Sequence, residues 1–168
     1  IAAAYRAKSV CLTPNPRAYG LLGDKRRMTL WSDQEQLEKL GLTPKQIDFL
    51  IRCVPSSRLL SQVNQKKFWS ERKRWVLKPV TSHGSRGVLL GKSLTRNRLA
   101  GLDPEETLVQ WYVPPSKTPC HLTEKPMKTD FRLFVYGRRI LGVAARLYRG
   151  QVTNFRLAGN GFAPVRVV

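Results

Sequence analysis

The residues most suited to holding a phosphate group lie in one short stretch, WVLKPVTSHGSRGVLLGK, residues 75–92. Lys78 stands in an apolar strand pattern, where a charged side chain needs a partner. In the turn that follows, glycines let the backbone approach an anion, and Ser82 and Ser85 supply hydroxyl donors. The pattern predicts a phosphate-binding loop, and the alternative is an ordinary hairpin with an exposed lysine.

The letters GKS at residues 91–93 resemble part of a P-loop, but the spacing around them excludes that motif. A P-loop needs four residues between its two glycines. Counting back from Gly91, the required position holds Arg86, and Gly87 is one residue too near. Lys78 and the loop after it are therefore the better candidates.

Two later segments place charged residues at alternating positions. In DFRLFV and ILGVAARL, the residues Asp130, Arg132 and Arg146 alternate with apolar ones. Strands have this pattern when one face packs on a core and the other lines a cleft. The alternative is a charged ladder that faces solvent. Asn154 precedes a glycine-rich turn and is a further candidate site residue. The alternative is that it is an ordinary asparagine at a strand end.

Helices and a strand are expected in the first third of the chain. Residues 7–14 have a strand pattern and are followed by a turn, NPRAYG. Helical patterns occupy residues 23–41 and 42–54. The second begins with Thr43 as N-cap and Pro44 at the first helical position, which is a favourable pairing. These elements predict a small N-terminal α/β lobe.

From residue 75 onward the chain is rich in strand patterns. Strands are expected at residues 75–80, 87–92, 107–114, 130–137, 140–150 and 152–157, with short helices at 64–74 and 93–102. The turn GRR pairs the fourth of these strands with the fifth. The whole predicts an α+β fold, with a lobe at 1–60, a linker or short helix at 61–74 and an antiparallel β-rich region at 75–168.

The composition narrows the function classes without choosing one. Lys and Arg number 30 against 11 Asp and Glu, a net charge of +19 that favours phosphates, nucleic acid, an anionic membrane or an acidic partner. The 3 cysteines are far apart and unpaired in spacing, so a reducing, cytoplasmic setting is expected. No apolar run reaches the roughly 20 residues of a membrane span. His83 and His121 lack the neighbours of a catalytic triad.

Six segments, taken in order, resemble the ATP-grasp superfamily of carboxylate-amine ligases, and most of all its uncharacterised and circularly permuted members. They are GDKRRM, VPSS, WVLKPVTSHGSRGVLLG, LVQWYVPP, DFRLFVYGRRILGVAARL and VTNFRLAGNGFAPV. The resemblance implies an ATP-grasp-like fold, in which residues 75–168 are the nucleotide-binding region, and a ligase that uses ATP and Mg²⁺. It also implies a carboxylate substrate and an amine or thiol substrate.

The resemblance also implies a role for each matching residue. Lys25 and Lys78 would contact ATP phosphates, and Arg132 and Arg146 would act in catalysis by holding the γ-phosphate and the acyl phosphate. Nucleotide contacts would further come from the flap residues Ser82, Gly84, Ser85, Arg86 and Gly87, from the adenine hinge Gln110, Trp111 and Val113, and from Asn154. For QWYVPP the alternative is a buried aromatic strand ending at prolines. Asp130 and Asn154 would be metal ligands.

Acidic ligands for a metal are scarce at the end of the chain. Residues 131–168 contain no Asp or Glu, although magnesium prefers carboxylate oxygens. We therefore expect the chain to be a fragment whose remaining ligands lie on another segment, or a protein that no longer catalyses. An acidic partner segment would also balance the positive charge.

Two other functions stay open. One is a catalytically degenerate, nucleotide-binding structural partner. The other is a basic nucleic-acid-binding module, in which bases stack on Trp69 or Trp75 and neighbouring Lys and Arg contact phosphates. No recognised nucleic-acid motif supports the second, and its charge is dispersed along the chain.

Overall fold

The computed structural model describes residues 1–120, 124–151 and 153–166, which leaves His121 outside the described residues. It contains helices and two antiparallel four-stranded sheets, so the α+β class is confirmed. The chain forms two compact units, Ile1–Ser82 with Leu89–Tyr112 and His83–Val88 with Val113–Val168. This grouping differs from the expected division at residues 61–74.

Five short helices open the first unit. They are α1 (Ala2–Arg6), α2 (Pro16–Leu22), α3 (Arg27–Trp31), α4 (Gln34–Lys39) and α5 (Pro44–Cys53). The strand predicted at 7–14 and the turn after it are wrong, because residues 7–14 join no sheet and α2 begins within NPRAYG. Asn15 Oδ1 accepts from the backbone N–H groups of Arg17 and Ala18, and thereby caps α2.

The start predicted for α5 is confirmed. Gln46 N donates to Thr43 Oγ1 at 3.4 Å, and Thr43 N donates to Gln46 Oε1 at 2.9 Å, which forms a capping box ahead of Pro44. The helical tract predicted at 23–41 is instead two helices, α3 and α4. The first ends at Trp31, and Asp33 caps the second by accepting from Gln36 N at 3.2 Å.

The first unit contains a four-stranded sheet and two further helices. Its strands are β1 (Ser57–Leu59), β2 (Trp75–Pro79), β3 (Leu89–Leu90) and β4 (Thr107–Trp111), in the order β1-β4-β2-β3. The helices are α6 (Gln65–Glu71) and α7 (Arg96–Ala100). The strand predicted at 87–92 is shorter than expected, since GKS forms a 3₁₀ turn, Gly91–Ser93, instead of extending β3.

The two faces of this sheet differ in chemistry. Leu77 and Val109 are register partners and pack into the apolar core with Leu60, Phe68 and Leu94. Because side chains alternate along a strand, Lys78 and Gln110 lie on the opposite face. The register thus separates a dry core face from a face that carries polar groups.

The second unit contains a sheet in the order β5-β6-β7-β8. Its strands are β5 (Ser116–Thr118), β6 (Met127–Tyr136), β7 (Arg139–Tyr148) and β8 (Gly161–Pro164). The predicted hairpin is confirmed, with Gly137 at φ 58° in its turn. The strand predicted at 152–157 is wrong for its described residues, which form a turn, because Asn154 Oδ1 accepts from Arg156 N at 3.0 Å.

Among the described residues, no helix combines the length and the apolar character that crossing a membrane requires.

Candidate functional site

Lys78 begins a chain of polar contacts that crosses three strands of the first sheet. Its Nζ donates to Gln110 Oε1 at 2.6 Å, and Gln110 Nε2 donates to Ser57 Oγ at 2.9 Å. Ser57 Oγ donates in turn to the carbonyl of Pro55 at 2.8 Å. Gln110 is 5% exposed and Ser57 is 2% exposed, so burial fixes both partners of this chain. Lys78 itself is half-buried.

Lys25 precedes α3 in the sequence, and its side chain contacts the end of β2. Its Nζ donates to the carbonyls of Pro79 at 3.0 Å and Val80 at 3.4 Å, and also to the carbonyl of Ser82. Its backbone N–H donates to Val80 O at 3.0 Å. The last carbonyls after β2 therefore anchor the ammonium group, and Ser82 contributes its backbone rather than its hydroxyl to this contact.

We call Lys25 and Lys78 the lysine pair, because their charges interact. Burial lowers the pKa of Lys78, and the nearby positive charge of Lys25 lowers it further. Burial also lowers the pKa of Lys25, and Asp24 partly offsets that effect. Within the part of the chain that the structure describes, neither ammonium group forms an ion pair. A bound anion would compensate both charges.

Most of the other predicted site residues line one pocket in the second unit, which we call the arginine pocket. Its volume is about 670 Å³. The predicted residues in its lining are Gly84, Ser85, Arg86, Arg132, Arg146 and Asn154. Arg156 brings the number of arginines to four, and no described carboxylate lines the pocket. Four guanidinium groups around one space make it suited to anions.

The strands β6 and β7 position the arginines of this pocket. Asp130 and Arg146 are register partners, and Arg146 Nε donates to Asp130 Oδ1. Arg132 lies two residues along β6 on the same face, with its guanidinium carbon 5.9 Å from the centroid of the Phe162 ring on β8. The charged ladder considered as an alternative does form, and its two arginines also line the pocket.

The loop at 83–88 supplies another wall of the arginine pocket. Gly84, Ser85 and Gly87 have φ of 61°, 62° and 70°, in the left-handed region that only glycine adopts without cost. Ser85 Oγ donates to the carbonyl of Thr153 at 3.3 Å. The glycines of SHGSRG are thus required by the turn itself, and the serine joins the loop to the turn that carries Asn154.

The proposed metal ligands do not fit a magnesium site as they stand. Asp130 is paired with Arg146, whose positive charge disfavours a cation beside it. Asn154 Oδ1 accepts from Arg156 N, and its carbonyl accepts from Asn160 Nδ2 at 2.6 Å. In the described ranges, no cluster of three His, Cys, Asp or Glu side chains could hold a metal ion. The Mg²⁺ prediction rests on the resemblance alone.

The predicted adenine hinge is only partly open to a ligand. The buried Gln110 amide is used by Lys78 and Ser57, and the backbone N–H of Trp111 donates to Ser56 O at 2.8 Å. Trp111 is 40% exposed. Val113, at the start of the second unit's long segment, is 61% exposed. The role of these residues in binding adenine stays a prediction.

The predicted residues thus fall into two groups, the lysine pair with Gln110 in the first unit and the arginine pocket in the second. Sequence reasoning missed Ser57 as the end of the Lys78 chain. The local signal for it is the segment SSRLL, in which a serine stands at the start of a short strand pattern. A serine in that position can face a polar cluster.

Comparisons with known proteins add no family to this description. No protein-family model matches the chain, and no curated protein matches it.

Proposed function

We propose that the chain binds ATP and forms the nucleotide-binding part of a ligase of the ATP-grasp type. Such a ligase joins a carboxylate to an amine or a thiol through an acyl phosphate. The lysine pair is the observation that carries the proposal. Two ammonium groups close enough to lower the pKa of one of them, with only neutral acceptors, are most stable with an anion nearby.

In this proposal the lysine pair contacts nucleotide phosphates. A lysine ammonium group neutralises phosphate charge without giving up its proton. The acceptors around Lys25 and Lys78 hold the two groups in place before the ligand binds. Because both are partly desolvated, their attraction to an anion is stronger than that of lysines in open water.

The arginine pocket would act on the phosphoryl group that is transferred. A carboxylate oxygen attacks the γ-phosphorus, the bond to the bridging oxygen breaks, and acyl phosphate and ADP form. An amine or thiol then attacks the acyl carbon, loses its proton, and phosphate leaves. Arg132 and Arg146 would hold the charge of these phosphoryl oxygens by paired N–H contacts.

Asp130 and Asn154 already have partners, so as they stand they do not fit Mg²⁺. In enzymes of this type the ion supplies charge neutralisation on the phosphates. The residues of this chain that would take part in that task are the lysine pair and the pocket arginines.

Thermal unfolding with ATP, ADP and adenosine tests the proposal. Both nucleotides should raise the melting temperature, and ATP, with three phosphate groups, should raise it more than ADP, with two. Adenosine at the same concentration should leave it nearly unchanged. If none of the three raises it, the proposal fails. If ATP binds but no ADP forms with any carboxylate and amine, the degenerate nucleotide-binding partner is the better reading.

A further inference from the structure

We propose that the first unit binds the phosphate backbone of a nucleic acid through a basic face that is separate from the lysine pair. The basic face consists of Arg72, Lys73, Arg74, Lys92, Arg96 and Arg98. These residues lie on the 3₁₀ turn Arg72–Arg74, on the 3₁₀ turn Gly91–Ser93 and on α7. All of them are exposed except Arg72, which is half-buried.

Backbone contact brings the two 3₁₀ turns together. A Cβ added to Gly91 would lie 1.8 Å from the carbonyl oxygen of Arg72 and 2.9 Å from that of Trp75. Only a glycine permits this approach, so Lys92 lies beside the run Arg72–Arg74. The GKS that fails as a P-loop therefore has a structural reason for its glycine and adds a cation to the face.

Trp69 joins α7 to the same face. The guanidinium carbons of Arg72 and Arg96 lie 4.3 Å and 4.4 Å from the centroid of its ring. Both distances are within the range of a cation–π contact. The ring thus holds two arginines in place, and guanidinium groups that are already oriented lose less freedom when they bind phosphate.

Charge on the basic face is not balanced from within. None of its six residues forms an ion pair with a described residue. The sequence has no Asp or Glu between residues 72 and 102. A surface that gathers like charges in this way favours a partner with repeated negative charges, because binding releases that partner's counterions.

The lack of exposed aliphatic side chains favours a nucleic acid over a membrane or a protein. Residues 52–110 are all described, and none of their large hydrophobic side chains is exposed. Membrane surfaces are bound with apolar residues inserted below the headgroups, and protein interfaces have an apolar or aromatic centre. The basic face has no exposed aliphatic side chain. The exposed aromatic residue beside it is Trp111, whose ring centroid lies 5.9 Å from the guanidinium carbon of Arg74, and nucleic-acid bases stack on rings of this kind. Trp69 and Trp75 are both half-buried, so they are poorly placed to stack on bases as the sequence predicts. In this proposal the cations instead contact the phosphate backbone of the nucleic acid.

Fluorescence anisotropy with a labelled single strand of about 20 nucleotides tests the proposal. The variant Lys73→Glu/Lys92→Glu should bind at least about tenfold more weakly. It should also lower the slope of log affinity against log salt by about 1.4, which is two phosphate contacts at about 0.7 each. The side chains of Lys73 and Lys92 are exposed and form no ion pair with a described residue, so neither is needed for folding. The single variant Arg98→Glu, at another exposed position of the face, should bind about threefold more weakly, and this second result does not depend on the folding of the double variant.

The matched control is Arg17→Glu/Lys45→Glu, which changes the net charge equally at two exposed positions in the first turns of α2 and α5. It should bind the nucleic acid within about twofold of the original protein, because salt screens charges that lie far from the binding face. An equal loss in the control would overturn the proposal, as would binding to phosphatidylserine vesicles without binding to nucleic acid. Lys78→Met should leave this affinity unchanged, which separates the result from the proposed ATP function.

Discussion

The ammonium group of Lys78 donates to Gln110 Oε1 at 2.6 Å, and Gln110 is held in turn by Ser57. The amide is a neutral acceptor, so it orients the lysine without cancelling its charge. That relationship leaves the positive charge of Lys78 available to a ligand, and it makes the identity of residue 110 a test of the proposed site.

Gln110→Glu should place a carboxylate beside Lys78 and form an ion pair there. The paired lysine would attract phosphate less, so ATP affinity should fall by at least about tenfold, which is about 1.4 kcal/mol. Isothermal titration calorimetry measures the change. The control is Gln46→Glu, which adds the same charge at an exposed position where a capping box accepts Glu equally well. Equal ATP affinities in the two variants would count against the site.

The lowered pKa of Lys78 predicts a pH dependence of stability. Between its lowered folded value and the ordinary value of 10.5, the unfolded chain binds more protons at this residue than the folded chain does. The free energy of unfolding therefore gains a term that rises with pH in that window. Urea unfolding measures this effect. The free energy of unfolding of the original protein, minus that of Lys78→Met, should rise from neutral to alkaline pH. A constant difference would show that Lys78 has an ordinary pKa.

Asp130→Asn should strengthen the binding of pyrophosphate in the arginine pocket. The substitution removes the carboxylate that pairs with Arg146, so the guanidinium is free for the ligand. The pair is half-buried, so the range of about 0.2–1 kcal/mol for exposed pairs is a lower bound, and it corresponds to a gain of at least about 1.4-fold to fivefold. Asp48→Asn, which breaks the exposed pair with Arg52 in α5, should have no effect on pyrophosphate binding. Weaker pyrophosphate binding in Asp130→Asn would instead fit a metal-ligand role for this carboxylate.

Gly84→Ala should destabilise the protein by about 1–2 kcal/mol, because an alanine at φ 61° is strained. Gly142→Ala is the matched control. An added Cβ meets nothing within 4 Å at either position, but Gly142 lacks the positive φ. The control should be neutral or stabilising by up to about 1 kcal/mol. Urea unfolding compares the two, and equal stabilities would mean that the loop does not require its left-handed turn.

Local signals predicted those parts of the fold that depend on neighbours in sequence. The capping box of Thr43 and Gln46 fixed the start of α5, and the glycine turn after β6 fixed the hairpin with β7. Residues 7–14 have strand propensity, but a strand forms only where another strand pairs with it. Neither of the two sheets includes a strand that pairs with these residues. Asn15 as N-cap and Pro16 at the first helical position are the local signal for α2, and they outweigh the turn propensity of NPRAYG.

The candidate site was predicted less completely than the fold. Alternation in β6 and β7 indicated that Asp130, Arg132 and Arg146 share a face, which the register confirms. Contacts across long stretches of sequence could not be foreseen. Lys25 reaches the carbonyls after β2, 54 and more residues along the chain, and Gln110 turns inward to bind Ser57. The packing of Gly91 on Arg72 is likewise a tertiary contact with no local signature.

The affinity of ATP for the original protein, Lys78→Met and Lys92→Met, measured by isothermal titration calorimetry, tests the central claim most directly. Lys92 is exposed, belongs to the 3₁₀ turn Gly91–Ser93 and is not among the hydrogen-bond partners of the lysine pair. Lys78→Met should weaken ATP binding by at least about tenfold, since one charge-assisted phosphate contact is lost, and Lys92→Met should leave it within about twofold. Unchanged affinity in Lys78→Met, or an equal loss in Lys92→Met, would contradict the assignment of the phosphates to the lysine pair.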